Sequence, residues 1–423
     1  MSPGSPATAP AAWHATPQAL SRFVTDLIAD EVAHLRPGGA ALPAPPWAPE
    51  LALDEQELGL DSLERLAVAS ALNEALHLHE SGVEDLLLAR RHFGEWLELA
   101  AAALAAFDAR LTFRTSGSSG QAKACTHALA YLEQEVAHLV DLTSGARRVL
   151  SAVPAHHIYG FLFTVLLPER HARLGVIDVR RLTPQALAAM LAPGDLVISH
   201  PAHWSLVARH VERLPAGVHG VTSTAPCPDA LACRLDVIGL SQLTQIYGSS
   251  ETAGIGTKTV AGGPFRLMPF WSRDVRDDHA LVRAAPDGAT HRHAIGDRLE
   301  WADDRRFTVG ARLDQAVQVG GVNVFPARVR QMLLEHPLVA DAAVRLMAPD
   351  EGSRLKAFVV LAPGADRAAS ESALWRWAEA RLAAPERPKS FTLGDRLPVN
   401  PLGKLADWPL AVGNPHGASP ALS

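Results

Sequence analysis

Apolar residues in the first hundred positions recur every three or four residues in three separate segments. This spacing places the apolar side chains along one face of a helix. The pattern predicts helices over residues 20–35, 62–78 and 92–106. A loop rich in Pro, Gly and Ala separates the first two, over residues 37–49. The N-terminal region is therefore expected to be a helical module.

The pattern changes after residue 106. A short apolar run at 111–113 precedes a loop of small residues, which a helix-like segment follows. Residues 162–167 are apolar apart from Thr164, which predicts a buried helix. Residues 324–344 are typical of a strand, a helix and a second strand, with His336 and Pro337 ending the helix. Such alternation favours an α/β fold.

Composition favours a large globular protein. The 423 residues suffice for two or more domains, and the hydrophobic content of 48% with 20% charged residues is ordinary. No apolar run reaches the length of about 20 residues that a membrane span needs, and residues 1–17 lack the pattern of a signal peptide. A cytoplasmic location is expected, with no nucleic-acid partner. Cys125, Cys227 and Cys233 form no disulfide framework and are expected to serve core packing.

Charge divides the chain into two parts. The net charge is −6, yet residues 15–100 contain 15 acidic and 5 basic residues, a balance of −10. The rest of the chain must then carry +4. This asymmetry predicts a tail over 1–14 and a separate acidic module over 15–106.

The loop after the 111–113 run combines glycines, hydroxyls and a lysine. It consists of Thr115, Ser116, Gly117, Ser118, Ser119, Gly120, Gln121, Ala122 and Lys123. Small residues let backbone N–H groups approach an anion closely, and the lysine adds positive charge, so the loop suits phosphate. It differs from the P-loop of NTPases, since two residues separate Gly120 from Lys123. An ordinary solvated turn is the alternative.

Four further segments follow in a characteristic order: residues 247–252, 295–297, 310–329 and 400–404. With the phosphate loop, the set resembles the adenylate-forming ligase superfamily over about residues 107–408. That family includes acyl-CoA and aryl-CoA synthetases. The resemblance implies an α/β adenylation core over 107–311, a small mobile α+β lid domain over 312–410, and a tail over 411–423.

The resemblance also implies two half-reactions. A carboxylate first attacks the α-phosphate of ATP, and a thiol then displaces AMP from the acyl-adenylate. Lys404 would bridge the carboxylate and the α-phosphate, with a surface lysine as the alternative, and Glu251 would ligate Mg²⁺. The implied ATP-binding residues are Thr115, Ser116, Gly117, Ser118, Ser119, Gly120, Lys123, Thr224, Ala225, Tyr247, Gly248, Ser249, Ser250, Asp297 and Arg312.

For the second half-reaction the resemblance implies a hinge and a channel. Asp314 matches the hinge about which the small domain rotates. Gly320 and Gly321 would let the thiol arm pass close to the backbone, and a plain turn is the alternative.

The acid is less well defined by the sequence. His157 matches the family position that flanks the acid, although a core histidine is the alternative. The neighbouring aromatic residues Tyr159, Phe161 and Phe163 favour a compact aryl acid. By similarity to aryl-acid ligases of pigment biosynthesis in arylpolyene and xanthomonadin clusters, the expected acid is a hydroxybenzoate such as 3-hydroxybenzoate.

The N-terminal module resembles an acyl carrier protein around Asp61, Ser62 and Leu63. In that family the serine carries phosphopantetheine, whereas the alternative is that Asp61 or Ser62 only caps a helix. The favoured acceptor is accordingly an acyl carrier protein, with free coenzyme A as the alternative and a non-catalytic nucleotide-binding scaffold as a second. The module leaves the large domain short, so the helices or a second copy of the chain are expected to cover its exposed sheet.

Overall fold

A computed structural model describes residues 12–36, 42–115, 123–171, 174–313, 316–348, 351–398 and 405–410. Its α-helices are α1 Pro17–Leu35, α2 Ser62–Leu76, α3 Leu86–Ala89, α4 Phe93–Ala106, α5 Leu129–Leu142, α6 Ile158–Phe161, α7 Leu167–Arg170, α8 Pro184–Met190, α9 Pro201–His210, α10 Asp229–Val237, α11 Pro326–Leu334 and α12 Arg367–Arg381. Short 3₁₀ helices cover Trp13–Ala15 and Leu78–Ser81, and a π-helical turn covers Leu162–Leu166.

The strands are β1 Arg110–Thr115, β2 Lys123–Ala128, β3 Arg148–Ser151, β4 Gly175–Asp178, β5 Asp195–Ser199, β6 His219–Thr222, β7 Gln242–Ser249, β8 Ala253–Lys258, β9 Phe265–Leu267, β10 Trp271–Arg273, β11 Ala280–Ala284, β12 Thr290–Ala294, β13 Asp297–Trp301, β14 Arg306–Arg312, β15 Val317–Val319, β16 Val322–Val324, β17 Val339–Leu346, β18 Leu355–Leu361 and β19 Ser390–Gly394.

The predicted N-terminal helices are present as α1, α2 and α4. At the start of α2, the Asp61 carboxylate accepts hydrogen bonds from the backbone N–H groups of Leu63 and Glu64, each at 2.8 Å. Glu64 in turn accepts from the Asp61 N–H, which completes a capping box. The capping role proposed for Asp61 is therefore observed, and Ser62 follows it with an exposed side chain.

The helix-like segment expected directly after the small-residue loop is instead a strand. β2 pairs antiparallel with β1 from Thr115 opposite Lys123 to Arg110 opposite Ala128. The helical pattern begins only at α5. The predicted helix over 162–167 is present as a buried π turn that continues into α7, and the strand, helix and strand expected over 324–344 are present as β16, α11 and β17.

A nine-stranded mixed sheet forms the centre of the fold, in the order β13-β14-β9-β8-β7-β6-β5-β3-β4. The strands β4, β3, β5, β6 and β7 run parallel, whereas β8 pairs antiparallel with β7 and with β9. Helices lie between successive parallel strands, as parallel connections require. Parallel strands aligned in this way bring their carboxyl ends to one edge of the sheet.

The described residues fall into two compact units. The first contains residues 12–115, 123–295 and 299–309, and the second contains 296–298 and 310–410. The expectation of a separate carrier-like module is therefore wrong. One continuous core joins the N-terminal helices to the sheet, and it runs from Trp13 through Phe23 and Phe161 to Phe307.

Aromatic contacts show how closely α1 belongs to the large unit. The Phe161 ring centroid lies 5.1 Å from that of Trp13, 5.6 Å from that of Phe23 and 5.4 Å from that of Phe113. The pairs with Trp13 and Phe23 are edge-to-face, and such pairs stabilise a core beyond the area they bury. The buried Asp26 of α1 also accepts a hydrogen bond from the Ala155 N–H at 2.7 Å. These contacts make the first helix part of the first unit.

The second unit has its own core between a three-stranded sheet, β17-β18-β19, and two helices, α11 and α12. The side chain of Lys356 is fully buried, and its ammonium group donates to Glu351 at 2.7 Å and to the Trp408 carbonyl at 2.7 Å. Asp407 lies 3.1 Å from the same nitrogen. The lysine thereby anchors the segment 405–410 to the second unit.

We predict that Phe23→Ala destabilises the whole first unit by about 3–5 kcal/mol, because it removes a ring from a shared core. Hydrogen-exchange mass spectrometry on β5 and β6 measures the effect at a distance from the substitution. Exchange there should accelerate in Phe23→Ala. It should stay unchanged in the control Leu63→Ala, whose side chain is 74% exposed. Unchanged exchange in Phe23→Ala would show that the helices form an independent module.

Candidate active site

The carboxyl ends of the parallel strands carry most of the residues that the sequence singled out. His157 follows β3, Thr224 follows β6, and Glu251 follows β7. In open α/β sheets, ligands bind outside this edge because the strand ends and following loops leave a crevice there. The fold thus brings three sequence-distant segments to the same edge of one sheet.

The turn that carries Glu251 has a backbone that only certain residues permit. A Cβ on Gly248 would lie 2.1 Å from the Ala253 carbonyl oxygen, so this position requires glycine. Ala253 has a φ of 57°, in the left-handed region. Ser249 and Thr252 hold the turn together, with their hydroxyl oxygens 3.0 Å apart.

Lys123 and Glu251 form an ion pair at this turn, with 2.8 Å between Nζ and Oε1. Their side chains are 59% and 48% exposed, so both remain accessible. Partial burial raises the pKa of Glu251, but the hydrogen bond and charge of Lys123 outweigh it and hold the pKa below its usual range. The carboxylate is therefore ionised at neutral pH. His127 lies beside the pair, with Nε2 2.6 Å from the Ser250 carbonyl oxygen.

A buried carboxylate supports the same turn from inside. Glu135 of α5 has no exposed surface, and its two oxygens accept from the Gly254 N–H at 3.1 and 3.0 Å. Trp271 donates its indole N–H to the Gly254 carbonyl at 2.8 Å. Burial raises the pKa of Glu135 to about 7, although the charge of Arg283 acts in the opposite direction.

Arg283 completes this support. Its guanidinium donates to the Thr252 carbonyl at 3.3 Å and to the Tyr131 carbonyl at 2.7 Å. The guanidinium carbon lies 4.9, 4.7 and 5.4 Å from the ring centroids of Tyr131, Phe270 and Trp271. Cation–π contacts of this kind partly offset the cost of burying a charge. The buried side chains of Glu135, Trp271 and Arg283 therefore hold the backbone of residues 252–254.

The segment after β6 adopts a strained backbone. Thr224 has a φ of 75°, which is unusual for a β-branched residue and is typical of functional loops. The preceding Ser223 donates its hydroxyl to the Ile246 carbonyl at 3.0 Å, which links this loop to β7. Ala225 is partly buried beside it. Tyr247 packs edge-on against Phe307, with centroids 5.5 Å apart.

His157 occupies the N-terminal end of α6 and is exposed, so the alternative of a core histidine is wrong. Protein atoms packed around the His157 ring disfavour its charged form, and the charge of His156 adds to this effect. Together they lower the pKa of His157 to about 4, although part of the side chain is exposed. The imidazole is thus neutral at physiological pH. Tyr159 is buried and donates its hydroxyl to the Ser199 carbonyl at 3.0 Å, and Phe161 and Phe163 are also buried. None of these three aromatic side chains is exposed.

The second unit holds the remaining described residues from the sequence analysis. Asp297 and Arg312 form an ion pair, with 3.7 Å between Oδ1 and Nη1. Gly320 and Gly321 form the turn between β15 and β16, with φ values of 60° and 85°. Two consecutive positive φ angles are what a tight two-residue hairpin requires, so the turn suggested as the alternative is present.

Several predicted site residues lie outside the described residues. They are Ser116, Gly117, Ser118, Ser119, Gly120, Asp314 and Lys404. Thr115 ends β1, directly before the predicted phosphate loop.

Sequence reasoning missed Glu135, Arg283 and His127. One signal was present, because Glu135 lies on the apolar face of α5 between Leu132 and Val136, both buried. An acidic residue on the buried face of an amphipathic helix needs a polar partner. That partner is a backbone amide 119 positions away, which no local pattern indicates.

Comparison with known proteins agrees with this geometry. Residues 10–278 match the family described as AMP-binding enzyme, and residues 329–404 match its C-terminal domain. The chain is 39% identical to a 4-coumarate–CoA ligase of Halorhodospira halophila, over 91% of this chain and 97% of that protein. It is likewise 39% identical to a 4-coumarate–CoA ligase of Cereibacter sphaeroides, over 92% of this chain and 96% of that protein.

Two solved structures share the fold. An amide bond synthetase from Marinactinospora thermotolerans superposes with a TM-score of 0.57 at 18% identity, covering 91% of this chain and 92% of that one. An o-succinylbenzoate–CoA synthetase from Bacillus subtilis superposes with a TM-score of 0.56 at 21% identity, covering 70% and 67%.

The chain belongs to the AMP-binding enzyme family, the adenylate-forming acid–thiol ligases. The predicted enzyme class is therefore confirmed, and so is the α/β fold with a large N-terminal and a small C-terminal domain. The family match begins at residue 10, before the region expected to be a carrier module, and spans all of that region. Within the described residues, no helix is long and apolar enough to cross a membrane.

We predict that Glu135→Gln removes a pH dependence of stability. The folded-state pKa of about 7 lies above the ordinary value of 4.5, so between these pH values the folded chain keeps a proton that the unfolded chain has lost. The stability from this group is complete below pH 4.5 and is lost as the pH rises to about 7. The full shift corresponds to about 3 kcal/mol.

The free energy of unfolding in urea is measured for the wild type and for Glu135→Gln at pH 5 and pH 8. Taking the difference between the two proteins cancels the contribution of the histidines, which both contain. Relative to the variant, the wild type should lose about 2–3 kcal/mol between the two pH values. Gln keeps an acceptor for the Gly254 N–H, so the fold should persist. Parallel pH profiles of the two proteins would contradict the assignment.

Proposed function

We propose that this protein activates an aromatic carboxylic acid with ATP and transfers the acyl group to coenzyme A. The observation that carries the proposal is the accessible Lys123–Glu251 pair at the carboxyl edge of a sheet in a chain of this family. The two relatives that match over nearly their whole length are 4-coumarate–CoA ligases, which supports a hydroxyaryl acid and coenzyme A.

In the first half-reaction, a carboxylate oxygen of the acid attacks the α-phosphorus of ATP, and the bond to pyrophosphate breaks. Two anions must approach each other, so fixed positive charge lowers the barrier. Lys123 supplies one such charge, and Lys404 is proposed to supply a second at the reacting oxygens. The predicted loop over Ser116–Gly120 would add backbone N–H donors to the outer phosphates.

The residues present suit magnesium. Glu251 offers an ionised, half-exposed carboxylate, which is the hard oxygen ligand that Mg²⁺ prefers, and Lys123 is placed to share its charge with phosphate oxygens. When bound, the ion would neutralise charge on the phosphates. We propose that Tyr247, Gly248, Ser249 and Ser250 line the nucleotide, that Thr224 and Ala225 border its base, and that Asp297 and Arg312 hold its ribose.

In the second half-reaction, a thiolate sulfur attacks the acyl carbon and AMP leaves with the bonding electrons. We propose that the small C-terminal domain rotates about Asp314 and that Gly320 and Gly321, which have no side chains, let the thiol arm pass. Coenzyme A is favoured over a carrier protein because the N-terminal helices form part of the large unit. Ser62 is exposed at the start of α2, so its modification stays a prediction.

His157 is the proposed contact to the acid. As a neutral imidazole it can donate a hydrogen bond from one nitrogen and accept one at the other, which suits a carboxylate or a ring hydroxyl. The similarity to 4-coumarate–CoA ligases favours a hydroxycinnamate as the acid. The 3-hydroxybenzoate expected from the sequence is included in the same assay.

We predict pyrophosphate release with ATP and Mg²⁺ when the acid is a hydroxycinnamate or hydroxybenzoate, and none with long-chain fatty acids. Coenzyme A should discharge the adenylate in a coupled assay, and a pantetheinylated carrier protein serves as the rival acceptor. Intact mass after incubation with a phosphopantetheinyl transferase reports on Ser62. Discharge by the carrier alone would reverse the acceptor assignment, and nucleotide binding without pyrophosphate release would favour the scaffold.

We predict that Glu251→Gln lowers pyrophosphate release by roughly 100-fold, since it removes a charged group from the proposed phosphate site. Stability should change by less than about 1 kcal/mol, because the pair with Lys123 is exposed. Glu133→Gln is the matched control, since it breaks an exposed pair with Arg170 at 3.0 Å away from the strand-end edge. Equal rates in both variants would contradict the role of Glu251.

A further inference from the structure

Three side chains with metal-binding groups meet where α1 packs against the loop before α6. Asp30 comes from α1, and His156 and His157 precede α6. One ligand atom from each residue lies within 4.8 Å of the other two. All three belong to the first unit. His157 is also the proposed contact to the acid, and a metal ion on one of its ring nitrogens leaves the N–H of the other to donate to the acid.

The spacing around the Asp30 carboxylate is longer than that of a charged hydrogen bond. Oδ2 lies 3.4 Å from Nε2 of His156. Charged N–H···O bonds are usually about 2.7–2.9 Å long. Ligands at about 2.0–2.2 Å from a tetrahedral zinc ion are separated from each other by about 3.4 Å. The distance between the Asp30 carboxylate and His156 therefore matches the spacing of two zinc ligands.

The unpaired ring nitrogens of His156 are a second observation that points to a ligand. The His156 side chain is 10% exposed, and neither ring nitrogen has a hydrogen-bond partner. Buried polar nitrogens almost always have a partner in the protein or in a bound water or ion. A metal ion bound to Nε2 would satisfy the nitrogen that faces Asp30.

A second group of similar composition differs from the first, because each of its three residues has a protein partner, although Nδ1 of His77 is buried without one. His77, His79 and Glu80 also lie within 4.8 Å of one another. However, His77 Nε2 is 2.9 Å from the Thr112 hydroxyl, and His79 Nδ1 is 3.2 Å from the Asn73 side-chain oxygen. Glu80 forms an ion pair with Arg110. This group is held by protein partners and provides a matched control.

We propose that Asp30, His156 and His157 bind one divalent transition-metal ion of the zinc class. Imidazole nitrogens suit zinc, cobalt, nickel and copper, whereas magnesium prefers oxygen ligands. The site is thus chemically distinct from the proposed magnesium position at Glu251.

Cobalt titration of the chelator-treated full chain tests the proposal, because tetrahedral Co²⁺ absorbs visibly and octahedral Co²⁺ only weakly. The wild type should show a tetrahedral spectrum that saturates at one ion per chain, that Zn²⁺ abolishes, and that excess Mg²⁺ leaves unchanged. His156→Ala and Asp30→Asn should each weaken binding at least tenfold. Asp30→Asn keeps the side-chain shape, so it remains informative if His156→Ala does not fold.

The control variants His79→Ala and Glu80→Gln should bind Co²⁺ like the wild type. Loss of the spectrum in the controls, but not in His156→Ala or Asp30→Asn, would assign the ion to the other group and overturn the proposal. A wild-type protein without a saturating tetrahedral spectrum would overturn it as well. The readout is absorption of the bound ion, so it does not depend on ligase activity.

Discussion

The turn that presents Glu251 depends on a carboxylate that water never reaches. Glu135 and Arg283 bury a carboxyl group and a guanidinium behind residues 252–254, and each uses its polar atoms on backbone groups of that turn. A buried polar group left without a partner costs about 1–3 kcal/mol, so the arrangement persists only while its hydrogen bonds are made. These bonds hold the turn in a single geometry, and Glu251 therefore stands on a rigid base.

The sheet and the N-terminal helices share that rigidity. Helix α1 contributes Phe23 to the core of the first unit, and its buried Asp26 bonds to the Ala155 N–H. The first unit therefore includes the N-terminal region, which its acidic charge had suggested was a separate module. Some of that acidity has a local structural role. Glu31 and Glu74 both pair with Arg114 of β1, at the strand that leads into the predicted phosphate loop.

Sequence reasoning identified the helices, the α/β class and the segments around Tyr247 and Asp297, since these depend on local periodicity and on motifs with a fixed order. It failed where long-range packing decides. Periodicity shows that α1 has an apolar face, but not that Phe161, more than a hundred residues later, covers it. For the same reason, the acidic composition suggested a carrier module, and Glu135 went unnoticed. The strand β2 was missed because its pairing with β1 overrides local preference.

The shared aromatic core can be completed only late in synthesis, because Phe23 and Phe161 lie far apart in the chain. Phe23 leaves the ribosome 138 residues before Phe161, whose ring completes its packing. At a synthesis rate of about 5–20 residues per second, the part of α1 that packs against Phe161 stays uncovered for on the order of 10 s. During that interval the nascent helix is a substrate for chaperones or for aggregation. Heterologous yield of this ligase should therefore respond to translation speed between these two positions more than to changes near the C-terminus.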